Sequence, residues 1–257
     1  MKKLFVWILS TLFLATAAWA SPSREYYELR TYRFQSVEQQ QRIETYLEKA
    51  LIPALHKLGL KKIGVFKPVE TDTTYGKKLI VLIPYHSLEE FEGINDKLAK
   101  DKQYLADGKD YIDATFDNVP YARMEITILK AFTGQPQMVK PDLKGPVNER
   151  VYELRSYEGH TEKIYHNKVD MFNAGDEVGL FKRLGFNAVF YGEVLVGSTM
   201  PNLMYLTTFE NQKSRDEHWK AFGEDPQWKK LVAMPEYQHN VSKNVTLFFR
   251  PTAYSDI

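Results

Sequence analysis

The sequence predicts an α+β chain made of two tandem ferredoxin-like units, each with the element order βαββαβ. Three observations carry this reading. The hexapeptide YELRTY at 27–32 returns as YELRSY at 152–157, an offset of 125 residues. Further matches follow in order. Leu58-Gly59-Leu60 matches Leu184-Gly185-Phe186 at offset 126. Leu79 to Tyr85 matches Leu203 to Phe209 at 124, and Asp101, Gln103 and Tyr104 match Asp225, Gln227 and Trp228 at 124. Ordered matches at nearly constant spacing mean a duplicated unit, and drifts of one or two residues belong in loops, which tolerate them. Between the copies, Thr133 to Asn148 holds Gly134, Pro136, Pro141, Gly145 and Pro146, the composition of an exposed linker. Within each copy, strand and helix periodicities alternate in the split βαβ order.

The chain divides into a leader over 1–20, a first unit over 21–134, a linker over 135–148 and a second unit over 149–257. The leader has Lys2 and Lys3, an apolar run from Leu4 to Leu14, and Ala18-Trp19-Ala20, the pattern of a secretory signal peptide cleaved after Ala20. The apolar run is short for a bilayer span. The expectation is export to the periplasm or beyond, with no membrane span in the mature chain. The chain has no cysteine. That excludes disulfides, thiolate metal sites and a cysteine nucleophile, and leaves no residue for a lipid anchor at the cleavage point.

Tyr26 to Phe34 alternates and is rich in β-formers, so it is a strand. Val37 to Leu58 is a helix, because Ile43, Leu47, Ala50, Leu51, Ala54, Leu55 and Leu58 recur at three- and four-residue steps. Pro53 should kink or break it, and Gly59 suits its C-terminal cap. Lys62 to Val69 and Lys78 to Tyr85 are strands about a polar Thr71–Gly76 turn. A second helix starts near Ser87, with Glu90 as capping-box partner, and Tyr121 to Phe132 is the last strand. The second copy repeats this with strand 149–158, helix 162–184, strands 187–196 and 202–209, helix 213–233 and strand 240–249.

In the first strands, Leu29 and Leu154 are read as facing the helices. Glu28, Arg30 and Tyr32, with Glu153, Arg155 and Tyr157, then face away and line the space where the two sheets pack together. Structural ion pairing is the favoured role for these triplets, and lining of a ligand cavity is the alternative. The apolar stripe of the helix at 162–184 is interrupted by Asn173, Asp176 and Glu177, which serve either a chain break at Gly175 or a ligand. Asn187, Tyr191 and Glu193 share one face of the next strand and could meet the same space.

Several chemistries are excluded. The six histidines form no metal-ligand spacing, so no metal is expected. There is no GxSxG elbow, P-loop or GxGxxG motif. A formal charge of +1 argues against nucleic acid as a partner. No cofactor is expected, with a lone histidine as haem ligand left open. His218 and Trp219 read as packing or surface residues, and His56 as a cap or core contact. Tyr104 and Trp228 read as core anchors. The sequons at Asn240 and Asn244 fall on a predicted strand and are discounted.

The YELRTY motif, Pro53-Ala54-Leu55 before Gly59, Ile63-Gly64-Val65-Phe66, Asp225-Pro226-Gln227-Trp228 and the ending Phe249-Arg250-Pro251-Thr252-Ala253-Tyr254-Ser255 together resemble the NIPSNAP family. The first copy lacks the Arg-Pro-Thr ending after Ala131-Phe132 and resembles the family less closely. The resemblance implies a dimeric α/β-barrel, here closed within one chain by the two units. It supplies no catalytic residues. The wider superfamily holds cofactor-independent monooxygenases, haem enzymes and binding proteins. The functional expectation is an exported module that binds a small organic ligand, with a monooxygenase- or isomerase-type enzyme as the alternative. Homo-oligomerisation is left open. In the enzyme reading Arg30, Arg155, Tyr157, Glu177 and Tyr191 would supply an anion anchor, a phenolic acid and a carboxylate base.

Overall fold

The computed structural model describes residues 22–257, so the leader read over 1–20 lies outside the described residues. Among the described residues no helix is long and apolar enough to cross a membrane.

Each unit has the predicted order. The first contains β1 (Tyr26–Arg33), α1 (Val37–Tyr46), a π turn (Leu47–Leu51), α2 (Ile52–Lys57), β2 (Gly64–Pro68), β3 (Lys78–Tyr85), α3 (Leu88–Leu98), α4 (Lys102–Asp107), α5 (Lys109–Ile112) and β4 (Arg123–Ala131). The second contains β5 (Val151–Glu158), α6 (Glu162–Asn173), α7 (Glu177–Arg183), β6 (Phe190–Val196), β7 (Asn202–Phe209), α8 (Gln212–Glu224), α9 (Pro226–Val232), a 3-10 turn (Pro235–Tyr237) and β8 (Lys243–Pro251). The strands close one antiparallel barrel in the order β1-β3-β2-β8-β5-β7-β6-β4. The units join at two seams, β2 to β8 and β4 to β6.

Local sequence explains the helix boundaries. Ser36 and Thr161 cap α1 and α6, each side-chain oxygen accepting a backbone N–H three residues on. Ser87 accepts from the Glu90 N–H while the Glu90 carboxylate accepts from the His86 N–H, so the predicted capping pair forms. Pro53 does not break its helix. It lies in the first turn of α2, and the π turn before it absorbs the irregularity. The helix expected over 162–184 is divided instead. Asp176 takes a left-handed backbone (φ 61°) between α6 and α7. The helix expected over 213–233 likewise divides at Asp225, which caps α9.

The assignment of strand faces is reversed relative to the sequence reading. Tyr27, Leu29, Tyr152 and Leu154 point into the barrel lumen, where all eight strands contribute to one apolar cluster that includes Phe66, Leu82, Leu129, Phe190, Val194, Leu206 and Phe249. Met138 and Leu143 of the linker and Ile257 join the same cluster. The Glu-Arg-Tyr triplets lie under the helices of their own units. The reason is geometric. A closed barrel buries both faces of a strand, so a leucine on one face does not say which layer it faces.

The lumen is therefore lined mainly by apolar side chains. The hydroxyls of Tyr27 and Tyr152 are buried beside Glu25 and Arg150, and neither makes a hydrogen bond of good geometry among the described residues. Removing a hydroxyl that makes no bond loses nothing and relieves its desolvation. Tyr152→Phe is therefore expected to leave stability within about 0.5 kcal/mol of the parent or raise it, whereas Leu154→Ala should cost about 2–5 kcal/mol. Urea unfolding midpoints of the two variants check the contrast.

Candidate functional site

The polar groups collect in the layer between sheet and helices, and the two copies use it differently. In the first unit, Glu28 is fully buried. Its carboxylate accepts from Arg30 Nε at 2.6 Å and from the Tyr85 hydroxyl at 2.9 Å. Arg30 also donates to the Tyr32 hydroxyl at 3.3 Å. Tyrosines fill the remaining space. Tyr111 stacks on Tyr46 with ring centroids 3.7 Å apart, and its hydroxyl lies 3.2 Å from that of Tyr32. The rest of the layer is apolar and mostly aliphatic, including Ile43, Leu51, Val65 and Val81.

In the second unit, Glu153 is also fully buried but holds three donors: Arg155, Arg215 and the Trp219 indole. Burial alone would raise its pKa. The Arg215 hydrogen bonds and the Arg155 charge outweigh burial and hold Glu153 below the ordinary carboxylate range. The Arg155 guanidinium lies 3.7 Å from the Trp219 ring centroid and donates to the Tyr157 hydroxyl at 3.3 Å. Tyr157 and Tyr205 hydroxyls are 2.7 Å apart.

Beside them lies a second buried pair. Lys168 on α6 donates to Glu177 on α7 at 2.9 Å, with both side chains nearly inaccessible (6% and 2% exposed). The ammonium also contacts Met171 Sδ at 3.2 Å and sits 4.6 Å from the Phe172 ring, 5.5 Å from Tyr157 and 5.9 Å from Trp228. Burial pushes the Glu177 carboxyl up, and Lys168 offsets part of that rise. Burial also raises the Tyr191 and Tyr205 phenols.

The duplication supplies an internal comparison. Ser36 and Thr161 cap equivalent helices, which aligns Lys168 with Ile43. The glycines that end the helical segments, Gly59 and Gly185, align Glu177 with Leu51 and Tyr191 with Val65. Strand register aligns Tyr205, opposite Arg155, with Val81, opposite Arg30. So the second copy carries a buried Lys–Glu pair and two tyrosines where the first carries four aliphatic side chains. A buried ion pair is often less stabilising than the hydrophobic residues it replaces, so packing alone does not account for the exchange.

Tyr157 and Lys168 of this cluster also line a surface recess of about 230 Å³, together with Met171, Trp228, Tyr237 and Asn240 among others. A larger cleft of about 470 Å³ lies between the linker and α7. Its walls mix apolar residues such as Pro136, Val139, Pro141 and Val178 with the polar side chains of Gln135, Gln137, Lys140, Asp142, Lys182 and Asn187. Asn187 and Tyr191 line this cleft, whereas the smaller recess is lined by Tyr157 and Lys168, two members of the buried polar cluster.

The residues singled out from the sequence separate. Arg155, Tyr157, Glu177 and Tyr191 meet in the second chamber, with Glu153 fixing Arg155 behind them. Arg30 and Tyr32 are in the closed first chamber. Asn173 fastens the linker, its side-chain oxygen accepting from the Gly134 N–H and from the Thr133 hydroxyl. Asn187 is a left-handed residue (φ 44°) whose carbonyl accepts from Thr208. Glu193 pairs with Arg24 at 2.5 Å. His56 bonds Asp256 at 2.8 Å, as a cap-region contact.

Sequence reasoning missed Lys168, Tyr205, Arg215 and Trp219. A usable signal existed for three of them. Lys168 stands four residues before Phe172 on the buried stripe, and Arg215 and Trp219 share a helix face at i, i+4. Among the described residues no group of three or more His, Asp or Glu could hold a metal.

The NIPSNAP family profile matches residues 27–132 and again 152–256. This chain belongs to the NIPSNAP family. Both units of this NIPSNAP chain thus carry the family's sequence pattern, including the less similar first copy. No curated protein matches the sequence. Solved structures share the fold at low identity. A Lactobacillus acidophilus protein provisionally described as a monooxygenase has TM-score 0.59 at 9% identity, covering 89% of this chain and 94% of its own. A similarly described protein from Fusobacterium nucleatum has TM-score 0.55 at 7% identity, covering 89% and 93%. An anthrone oxidase-like protein has TM-score 0.53 at 11% identity, covering 90% and 93%. Identities this low establish the barrel architecture alone.

Proposed function

We propose that this NIPSNAP protein is an exported small-molecule-binding protein whose ligand enters the chamber between the sheet and helices of the second unit. One observation carries the reading. Both layers hold a buried Glu–Arg pair, but the first is otherwise packed with aliphatic and aromatic side chains, while the second adds Lys168, Glu177, Tyr191 and Tyr205 beside an open recess. Export rests on the leader read over 1–20. Native mass spectrometry of protein taken from its own cells is the test. A bound mass should be present in the parent and absent from the Lys168→Met/Glu177→Leu double variant. A parent without any adduct, even after incubation with a small-molecule library, would defeat the proposal. Fractionation of the same cells tests export.

A second reading is an enzyme of the monooxygenase type. It is favoured by Glu177, a buried carboxyl whose raised pKa suits it to take or return a proton at a bound ligand. The descriptions of the solved structures that share its fold point the same way. Under that reading, ligand-dependent oxygen uptake should occur with the parent and be lost in Glu177→Gln while binding persists.

A further inference from the structure

The first copy is closed by a segment that the second copy lacks. From Asp101, which caps α4, to Tyr121 the first copy is four residues longer than the second is from Asp225 to Val241. Strand register makes Tyr121 and Val241 equivalent, since Tyr32 faces Met124 and Tyr157 faces Asn244. The extra length forms α5, four residues long, and α5 carries Tyr111 into the layer.

The place Tyr111 occupies corresponds to the open recess of the second copy. Its ring contacts Tyr32, Tyr46 and Tyr121. The equivalents of those three residues are Tyr157, Met171 and Val241, and all three line the recess. The side chain of Tyr111 is a planar ring with a para hydroxyl, and that hydroxyl meets Tyr32, the twin of Tyr157. The first unit therefore carries its own covalently attached occupant.

We infer that the second chamber takes a small phenol, seated where the ring of Tyr111 sits in the first copy, with its hydroxyl on Tyr157 and Lys168. This rests on the binding role proposed above and names the ligand class for that site. The local chemistry suits it. Met171 and Val241 offer apolar contact, and Trp228 adds an aromatic edge. The Tyr157 hydroxyl accepts from Arg155 and pairs with Tyr205, which leaves it one further hydrogen bond. Lys168 directs donors to Glu177 and Met171 and retains a third. The recess volume of about 230 Å³ is below the range of about 300–1,000 Å³ typical of drug-sized sites, which favours a single ring. The second chamber also holds Arg155, Arg215 and Lys168 against Glu153 and Glu177, so it favours an oxygen that can carry negative charge.

The probe is p-cresol, the tyrosine side chain as a free molecule, with toluene as its hydroxyl-free counterpart. Calorimetric titration of the full chain should give one equivalent of p-cresol bound, with toluene at least about tenfold weaker. Tyr157→Phe and Lys168→Met should each weaken p-cresol by about tenfold. Tyr111→Ala should take up a second equivalent and regain melting temperature as it does so, because an emptied ring site binds a ring of the same shape. Tyr111→Phe, which keeps the ring, should bind only one. Two results overturn the inference but leave the binding role standing: toluene binding as tightly as p-cresol, or a non-phenolic native adduct displaced by neither. An absence of binding by any probe, with no native adduct, removes both. If Tyr111→Ala folds, as its melt will report, and takes up no p-cresol, the equivalence of the two places is wrong and the phenol assignment falls.

Discussion

Lys168→Met should destabilise the protein by about 3–5 kcal/mol at neutral pH, because it leaves the Glu177 carboxylate buried without its counter-charge. The double variant Lys168→Met/Glu177→Leu should behave oppositely. It restores the apolar character that Ile43 and Leu51 give the first copy, and it should be neutral or stabilising by about 1–4 kcal/mol. Urea unfolding of the two singles and the double forms a complete cycle, and a strong non-additive term is expected because the side chains touch. The pH dependence gives a second check. Glu177 has a raised pKa in the folded chain, and losing Lys168 raises it further. A carboxyl whose folded pKa exceeds its unfolded value favours the folded state at low pH and loses that contribution as pH rises through the folded value. The penalty of Lys168→Met should therefore shrink on acidification. A penalty that is small at pH 7, or independent of pH, would mean the pair is not a buried charge pair in solution.

Glu153→Gln should cost a similar amount, about 3–5 kcal/mol, and its penalty should likewise shrink in acid, although for a different reason. The carboxylate is the shared acceptor of Arg155, Arg215 and the Trp219 indole, so a neutral amide leaves two guanidinium groups facing each other without compensation. Because Glu153 is held below the usual carboxylate range, its contribution is complete above the unfolded pKa and disappears as pH falls through the folded one. The gap between parent and variant should close in acid. Glu28→Gln is the control in the first copy. Glu28 serves one arginine and one tyrosine, so its loss should cost less. Equal costs at the two sites would show that the second arginine adds nothing.

The duplication, element order and helix caps were readable from the sequence because each is written in contiguous residues. YELRTY and YELRSY, Ser87 with Glu90, and Asp101 with Asp225 needed no long-range knowledge. The facing of Leu29 and Leu154 was not readable. Either side of a barrel strand is buried, and only closure reveals which side is the lumen. Lys168 was obscured for a related reason. On a helix a lysine commonly extends to water, and its burial here depends on Glu177, which lies beyond the break at Asp176. Tyr111 lay outside every repeated block, so comparing copies by matching residues passed over the one segment whose mismatch matters.

The covalent join between the units also changes how such a barrel can evolve. A barrel made from two identical chains is bound by its two-fold symmetry, so every substitution appears twice, in both layers, and any cost is doubled. The linker over 135–148 removes that constraint. One half could fill its layer with Tyr111 and an aliphatic core, and so become a scaffold of undemanding stability. The other could then accept two buried charge clusters and an open mouth. Specialisation by halves, rather than by pairs of interchangeable sites, is what a single-chain barrel permits.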